Sequence, residues 1–137
     1  MVVVDTNVVV ALLVQGPKMP WSRKLREQEP NWSVPELWRH EMLNVLATME
    51  RGKVFPRIEL ESIWKLAYTM LVPCERNLDY LAALEMAASL SISGYDAQFL
   101  TLARQMGTFL VTEDKELLKK APHLTRPLSH YKSGSEP

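Results

Sequence analysis

The sequence contains a single cysteine, Cys74, among its 137 residues. One thiol cannot form a disulfide within the chain, so this is not a small disulfide-stapled secreted domain, and the composition suits a reducing compartment. Lysine plus arginine and aspartate plus glutamate are equal at 16 each. The chain therefore lacks the net positive charge of a simple nucleic-acid-binding module. A chain without net charge can still be an enzyme with basic residues along the rim of its site.

Long apolar runs are lacking as well. No stretch reaches the roughly 18 consecutive apolar residues that a membrane helix needs. The apolar N-terminus is interrupted at Asp5 and has no basic segment before it, so we do not expect a signal peptide. The expected localisation is cytoplasmic. The hydrophobic fraction of 47% is ordinary for a globular chain, and this length suffices for one domain with a real core.

The clearest pattern that is present lies at the start of the chain, where Val2, Val3 and Val4 precede Asp5. Three β-branched residues in a row are typical of an interior strand that is covered on both faces. Asp5 then falls at the carboxyl end of that strand, where parallel α/β sheets collect ligand and catalytic groups. Asp5 is equally suited to cap the helix that is expected from Thr6 onwards, so both roles remain open.

The rest of the chain alternates strand-like and helix-like segments. Strands separated by helices predict an α/β fold with a small parallel sheet sandwiched between helices. We expect one domain over residues 1–130 and a polar, disordered tail over residues 131–137. The pattern predicts strands near 2–4, 32–34, 71–74, 108–112 and 124–125, and helices near 6–13, 21–28, 36–51, 57–70, 78–90, 95–106 and 114–120.

The helix near 36–51 carries the first additional polar candidates. A capping-box pattern over residues 33–36, Ser-Val-Pro-Glu, predicts that this helix opens at its proline and glutamate. Trp38, Met42 and Leu46 follow helical spacing and form a stripe that should face the core. Glu41 and Asn44 lie on the neighbouring stripe, so we expect Glu41 at the edge of the buried face.

Four carboxylates are candidates for one site. Asp5 and Asp114 directly follow predicted strands, Asp96 lies in the first turn of the helix near 95–106, and Glu41 is held inward. Such acids repel one another strongly unless a cation neutralises them. Mg²⁺ or Mn²⁺ suits a site of oxygen ligands without clustered histidine or cysteine. Such an ion can activate a water and stabilise the charge that develops on a phosphodiester.

Each of these acids also has an ordinary structural role open to it. Asp96 completes a capping-box pattern that begins at Ser93. Asp114 at a helix start suits the positive end of the helix dipole. Glu41 suits a half-exposed helix position paired with a base. Taken one at a time, the acids leave these structural roles and a catalytic role open.

Four short motifs occur in order along the chain: Asp5-Thr6-Asn7 after the first strand, Glu41 with Asn44 on one helix, Tyr95-Asp96-Ala97, and Thr112-x-Asp114-x-x-Leu117. Together they resemble the PIN domain family. The resemblance runs over about residues 2–128, and the size and layout are similar to the VapC-type toxin ribonucleases of prokaryotic toxin–antitoxin systems. It implies a three-layer α/β/α sandwich.

The resemblance further implies a divalent-metal-dependent endoribonuclease that cleaves RNA with a metal-activated water. In the family, acids that match Asp5, Glu41, Asp96 and Asp114 hold one or two Mg²⁺ or Mn²⁺ ions. Residues that match Thr6, Asn44 and Thr112 support the site by hydrogen bonds. Toxins of this type form homodimers and are silenced by a cognate antitoxin protein whose tail lies across the active site.

Other classes fit parts of the pattern. A non-catalytic RNA-binding PIN relative would share the fold and bind RNA without cleaving it. A phosphatase of the haloacid dehalogenase type also begins with a strand and an aspartate, but it would need a second aspartate where this chain has Asn7. A receiver domain would need an acidic pair near the start and an aspartate at the end of a middle strand, and the 71–74 segment has none.

Several cations are candidates for an RNA-binding rim, although a charge-rich helix is more often simply solvated. Histidines 40, 123 and 130 have no metal-ligand spacing, so we treat them as structural or surface residues. Two tryptophans are expected in the core or at a dimer contact, Trp38 and Trp64, and Trp21 is a candidate for a partner groove. The candidate RNA contacts are Lys18, Arg23, Lys24, Arg26 and Arg39.

Overall fold

Four short parallel strands form the centre of the structure, a computed structural model that describes residues 1–132. The strands are β1 (Val2–Val4), β2 (Trp32–Ser33), β3 (Leu110–Thr112) and β4 (Thr125–Pro127). In space they follow the order β2-β1-β3-β4, with Val3 of β1 opposite Ser33 of β2 and Leu110 of β3.

Seven α-helices pack around this sheet in the described part of the chain. None of the helices within residues 1–132 combines the length and the apolar composition that would let it cross a membrane. The helices are α1 (Thr6–Leu13), α2 (Met19–Gln28), α3 (Trp38–Arg51), α4 (Arg57–Leu71), α5 (Tyr80–Leu90), α6 (Gly94–Gln105) and α7 (Lys115–Lys120), and two short 3₁₀ helices span Val72–Cys74 and Leu128–Tyr131.

The three valines of β1 show how the layers are built. Each is at most 2% exposed. Val2 and Val4 face one hydrophobic core, formed with α1 to α4, whereas Val3 faces a second core, formed with α5 to α7. This division follows from the alternation of side chains along a strand. The fold is thus the expected three-layer α/β/α sandwich, and the prediction of an interior first strand is confirmed.

The order of the strands explains where a site can form. The chain leaves β1 through α1 and α2 to reach β2 at one edge of the sheet, and it leaves β3 through α7 to reach β4 at the other edge. The two connections therefore diverge from the carboxyl ends of β1 and β3. A crevice forms at such a topological switch point, and Asp5 and Asp114 both lie beside it.

The segment predicted as a strand at 71–74 is helical instead. Leu71 ends α4, and residues 72–74 continue as a 3₁₀ helix. Pro73 accounts for the error because it has no N–H to donate to a sheet and its φ is fixed near the helical value. Only the next residue, Glu75, forms a single parallel bridge, with Val34.

The capping box predicted at residues 33–36 is also wrong. Ser33 lies within β2, pairs with Val3 and is 1% exposed, so it cannot cap a helix. α3 begins at Trp38, after a turn, and Leu37 occupies the N-cap position. The predicted core stripe on this helix is confirmed, since Trp38, Met42 and Leu46 are all buried.

Other helix boundaries differ by a few residues. α2 begins at Met19, two residues earlier than predicted, because Pro20 is compatible with the first turn of a helix. α5 begins at Tyr80, where the carboxylate of Asp79 caps it by accepting a hydrogen bond from the N–H of Ala82 at 3.0 Å. In both cases the cap or first-turn chemistry, and not the apolar periodicity, fixes the start.

The predicted tail begins too early. Tyr131 belongs to the second 3₁₀ helix and is 3% exposed, and its hydroxyl accepts a hydrogen bond from Arg126 at 3.0 Å. The ordered chain therefore includes at least this residue. The part of the predicted tail at residues 133–137 lies outside the described residues.

Candidate active site

The carboxyl ends of β1 and β3 open onto a cleft of about 730 Å³. Its walls come from α1, α3, the start of α6 and the turn before α7. All four acids singled out in the sequence line this one cleft, although they come from four separate parts of the chain. The lining residues are Asp5, Thr6, Asn7, Val10, Leu37, His40, Glu41, Asn44, Val45, Tyr95, Asp96 and Asp114.

Asp5 lies at the floor of the cleft and is 9% exposed. Its Oδ1 accepts a hydrogen bond from the N–H of Thr6 at 2.8 Å, which makes it the N-cap of α1 as expected. Its Oδ2 accepts a hydrogen bond from the hydroxyl of Thr112 at 2.7 Å. Both carboxylate oxygens are thus held in place by the backbone of one element and a side chain of another.

Thr112 joins two of the acids. Besides donating to Asp5, its hydroxyl accepts a hydrogen bond from the N–H of Asp114 at 3.0 Å. Asp114 in turn caps α7, because its Oδ1 accepts from the N–H groups of Glu116 and Leu117 at 2.9 and 3.2 Å. The side chain at the end of β3 therefore fixes the position of Asp114 relative to Asp5.

Glu41 reaches the same floor from α3. Its Oε1 accepts a hydrogen bond from the hydroxyl of Thr6 at 2.6 Å, across 35 positions of the sequence. Thr6 thus links the start of α1 to α3, and Thr112 links Asp5 to the residue that caps α7. Asn44 lies nearly one turn after Glu41 and lines the cleft, and its support by hydrogen bonding stays a prediction.

Asp96 enters the cleft from the first turn of α6. The hydroxyl of Ser93 accepts a hydrogen bond from the N–H of Asp96 at 3.0 Å, so Ser93 is the N-cap of this helix. The capping bond engages the backbone of Asp96. Its carboxylate is half-buried in the lining of the cleft.

The electrostatics of the cleft disfavour several adjacent negative charges. Burial raises the pKa of Asp5 from 3.8 to about 6, the hydrogen bond from Thr112 opposes this rise, and the charges of Glu41 and Asp96 add to it. Burial is also the largest cause of the raised pKa of Glu41 and of Asp96, and Asp114 raises the pKa of Asp96 further. A cation bound in the cleft would favour the charged form of these carboxylates and would therefore lower their pKa values.

The donor set fits a hard divalent cation in its chemistry, because the four acids offer carboxylate oxygens only. Across residues 1–132, no three acidic, histidine or cysteine side chains stand close enough together to enclose one ion as they are placed. The assignment of these four acids as metal ligands stays a prediction.

Six lining residues were not among the predicted site residues, and two of these six, His40 and Tyr95, are direct neighbours of a predicted acid. His40 precedes Glu41, and Tyr95 precedes Asp96. Successive residues of a helix point about 100° apart, so the neighbour of an inward acid can share the wall of a wide cleft. Adjacency to Glu41 and Asp96 was the available signal, and His40 is a surface residue, as expected, that also lines the cleft.

At least three of the five cations proposed for an RNA rim contact other side chains of the protein. Arg39 forms a two-point ion pair with Glu75 at 2.7 and 2.8 Å, Lys18 pairs with Glu113, and the guanidinium of Arg26 lies 4.8 Å from the centre of a tryptophan ring. Among the described residues, none of the five candidates lines the cleft. RNA contact by these five residues stays a prediction.

The raised pKa of Asp5 predicts how stability depends on pH when no metal is bound. Between about pH 4 and pH 6 the unfolded chain releases the Asp5 proton while the folded chain retains it, so stability falls as pH rises. The loss is complete above about pH 6 and amounts to roughly 3 kcal/mol, at about 1.4 kcal/mol for each tenfold change in proton affinity. Urea denaturation in EDTA at several pH values measures it.

The Asp5→Asn variant is the matched comparison for this prediction. Glu41 and Asp96 have raised pKa values as well, so they contribute to the wild-type slope in the same direction. The difference between the two proteins isolates Asp5. The variant should lose less stability over this range and be the more stable protein at pH 7, and parallel pH profiles would contradict the prediction.

Comparison with known proteins identifies a family whose model matches this chain and solved structures with a similar fold. Residues 2–123 match the family model described as PIN domain. Among solved structures, the chain is similar to PAE2754 from Pyrobaculum aerophilum, with a TM-score of 0.71 and 19% identity over 93% of this chain and 90% of that one. It is also similar to a toxin–antitoxin complex from Klebsiella pneumoniae, with a TM-score of 0.67 and 13% identity over 93% and 98% of the two chains. A search of curated protein sequences gave no match.

Proposed function

Because the chain belongs to the PIN domain family, whose members are generally nucleases, we propose that it is an endoribonuclease that depends on Mg²⁺ or Mn²⁺. The observation that carries this proposal is the convergence of Asp5, Glu41, Asp96 and Asp114 on one cleft at the switch point of the sheet. Membership also removes the reason for considering a haloacid dehalogenase or a receiver domain.

The four acids have distinct parts in this proposal. Asp5, Asp96 and Asp114 would hold the ion or ions, and Glu41 would hold either an ion or the attacking water. A bound ion lowers the pKa of water and stabilises the charge that builds on the phosphodiester. Because Oε1 of Glu41 is engaged by Thr6, the other oxygen, Oε2, is the atom that can accept a proton from the water.

The two threonines have positioning roles. Thr112 holds the Asp5 carboxylate and the backbone of Asp114 with one hydroxyl, and Thr6 holds Glu41. Both hydroxyls therefore fix the direction of a carboxylate before substrate arrives. Such prior orientation reduces the reorganisation that the reaction requires.

We further propose that the protein is the toxin of a toxin–antitoxin pair, acts in the cytoplasm and works as a homodimer. A toxin–antitoxin complex is among the structures with a similar fold, and the match covers 98% of that neighbour's chain. The partner would be a small antitoxin that blocks the acidic cleft.

A cleavage assay tests the enzymatic proposal. Purified protein should cut single-stranded RNA in the presence of Mg²⁺ or Mn²⁺, lose this activity in excess EDTA and regain it when the metal is restored, because the ion would stabilise the charge that develops on the phosphodiester. Products are resolved on a denaturing gel. Adding the product of an adjacent reading frame should suppress cleavage if that product is the antitoxin.

The assay also separates the remaining alternative. A non-catalytic RNA-binding relative would bind the same RNA and leave it intact at every metal concentration. Binding without cleavage, under conditions where the metal raises the melting temperature of the protein, would contradict the proposed activity. The melting temperature is informative because any ligand that binds only the folded state stabilises it.

A further inference from the structure

Tyr95 stands at the rim of the acidic cleft, directly before Asp96. Its side chain is 65% exposed. It lines the catalytic cleft and also a second hollow of about 340 Å³ between α5 and α6, whose lining includes Tyr80 and Leu84. The ring therefore lies between the two hollows and lines both of them.

The backbone beneath this ring is firmly held. Ser93 caps the helix through the N–H of Asp96 at 3.0 Å, and the following turns of α6 bury Ala97, Phe99 and Leu100 in the second core. Within residues 1–132, the Tyr95 ring stacks on no aromatic or cationic side chain and its hydroxyl makes no hydrogen bond. A well-anchored position therefore presents an aromatic face beside a proposed metal ligand.

The charge of the cleft limits how a nucleic acid could be recognised here. Among the described residues that line the cleft, His40 is the only one with a basic side chain. The other titratable lining residues are Tyr95 and the four acids. Phosphate contacts by lysine or arginine, which dominate many nucleic-acid sites, are therefore not available from this lining. An aromatic face, in contrast, binds the π-face of any base and needs no positive charge.

We propose that the Tyr95 ring stacks against an unpaired nucleobase next to the phosphodiester that is cleaved. This inference rests on the proposed ribonuclease function and assigns Tyr95 a base-binding role in it. A base within a duplex is already stacked on both faces, whereas an unpaired base can turn onto a protein ring. The neighbouring hollow between α5 and α6 gives the stacked base space on the side away from the acids.

Binding of a labelled single-stranded RNA oligonucleotide tests the proposal. Fluorescence anisotropy is measured with Ca²⁺, which neutralises the acids, and a gel verifies that the RNA stays intact. Tyr95→Ala should bind about 5- to 150-fold more weakly than wild type, as is typical of the loss of one stacked base. Tyr95→Phe should bind like wild type because it keeps the ring.

Controls distinguish stacking from general damage. Tyr68→Ala removes another exposed tyrosine, on α4 and outside the cleft lining, and should leave RNA affinity unchanged. In cleavage assays, Tyr95→Ala should raise KM more than it lowers kcat. The preference of the wild type for single-stranded over duplex RNA should shrink in the same variant.

Three results for the variants, and a fourth for the wild type, would overturn the proposal. The first is wild-type RNA affinity in a folded Tyr95→Ala protein, and the second is an equal loss of RNA affinity in Tyr95→Phe. The third is a loss of affinity that accompanies a change of oligomeric state in light scattering, because this would mean that the ring packs against a second copy of the chain. A wild type without affinity for single-stranded RNA would overturn it too. RNA that is bound through Tyr95 but never cleaved would contradict only the proposed function.

Discussion

Asp5→Asn should lower the rate of RNA cleavage by about 10²- to 10⁴-fold, the range expected when a site loses charge at the point where it binds a metal and activates water. The carboxylate is buried at the floor of the cleft and is held by Thr6 and Thr112. Asparagine keeps the shape and can still accept the capping hydrogen bond from Thr6. The change therefore removes charge while it preserves the fold.

The same variant should be more stable than wild type at neutral pH without metal. Burial and the nearby acids Glu41 and Asp96 oppose ionisation of Asp5, so neutralising this side chain relieves an unfavourable interaction. A gain in stability together with a loss of activity indicates a residue kept for function and not for folding. Single-turnover cleavage rates and urea denaturation measure the two effects.

Glu113→Gln is the control for Asp5→Asn. Glu113 neighbours Asp114, but its carboxylate pairs with Lys18 and lies outside the cleft lining. Loss of this charge should change the cleavage rate only a few-fold. Equal losses in both variants would point to a general charge effect, and a fully active Asp5→Asn protein would remove Asp5 from the mechanism.

Much of this architecture follows from local patterns in the sequence. The run of three valines predicts a strand covered on both faces, and Val2 and Val4 do face one core while Val3 faces the other. A carboxylate that directly follows such a strand lies at the edge of the sheet where clefts form. The order of strands and acids along the chain therefore placed Asp5 and Asp114 at the same edge of the sheet, whereas the pairing of β1 with β3 came only from the structure.

The hydrogen bonds that orient these acids could not be predicted in the same way. Thr112 reaches Asp5 across 107 positions of the sequence, and this contact depends on β1 pairing with β3 so that Val4 lies opposite Val111. A single sequence does not give the register of a sheet. The positions of Thr6 and Thr112 in short motifs only suggested that they support the site.

Local signals failed where a distant partner competed for the same residue. Ser33 has the sequence context of a helix cap, yet pairing with Val3 draws it into the sheet. Arg39 likewise forms a contact that its local sequence does not predict, because Glu75, 36 positions later, accepts two hydrogen bonds from it. Its contact with RNA stays a prediction. Tertiary contacts of this kind override local propensity because they satisfy more buried or charged groups at once.

Trp38→Ala should reduce the free energy of unfolding by about 3–5 kcal/mol, the usual cost of removing a large buried aromatic side chain. Trp38 is 0% exposed. Its ring stacks on Trp64 at a centroid distance of 5.6 Å, and its Nε1–H donates to Glu75 at 2.7 Å. The substitution would create a cavity between α3 and α4 and leave Glu75 with Arg39 as its remaining partner.

Two further variants divide this effect into its causes. Trp38→Phe keeps an aromatic ring but removes the N–H, so it should cost roughly 1–3 kcal/mol, part of it from the lost hydrogen bond. Trp64→Ala removes the half-buried partner of the stack and should cost less than Trp38→Ala, because less of its surface is withdrawn from water. Urea denaturation followed by circular dichroism measures all three, and a loss below about 1 kcal/mol for Trp38→Ala would contradict this account of the core.

Trp38 and Asp5 should therefore affect the protein in opposite ways. Trp38 lies on the core face of α3, and Glu41, three residues later, reaches the cleft from the same helix and is held there by Thr6. As long as α3 remains folded, the cleft keeps all four acids. The Trp38→Ala protein should thus cleave RNA within a few-fold of the wild-type rate per folded molecule, at a temperature well below its melting point. A much larger loss would mean that packing under α3 sets the position of Glu41.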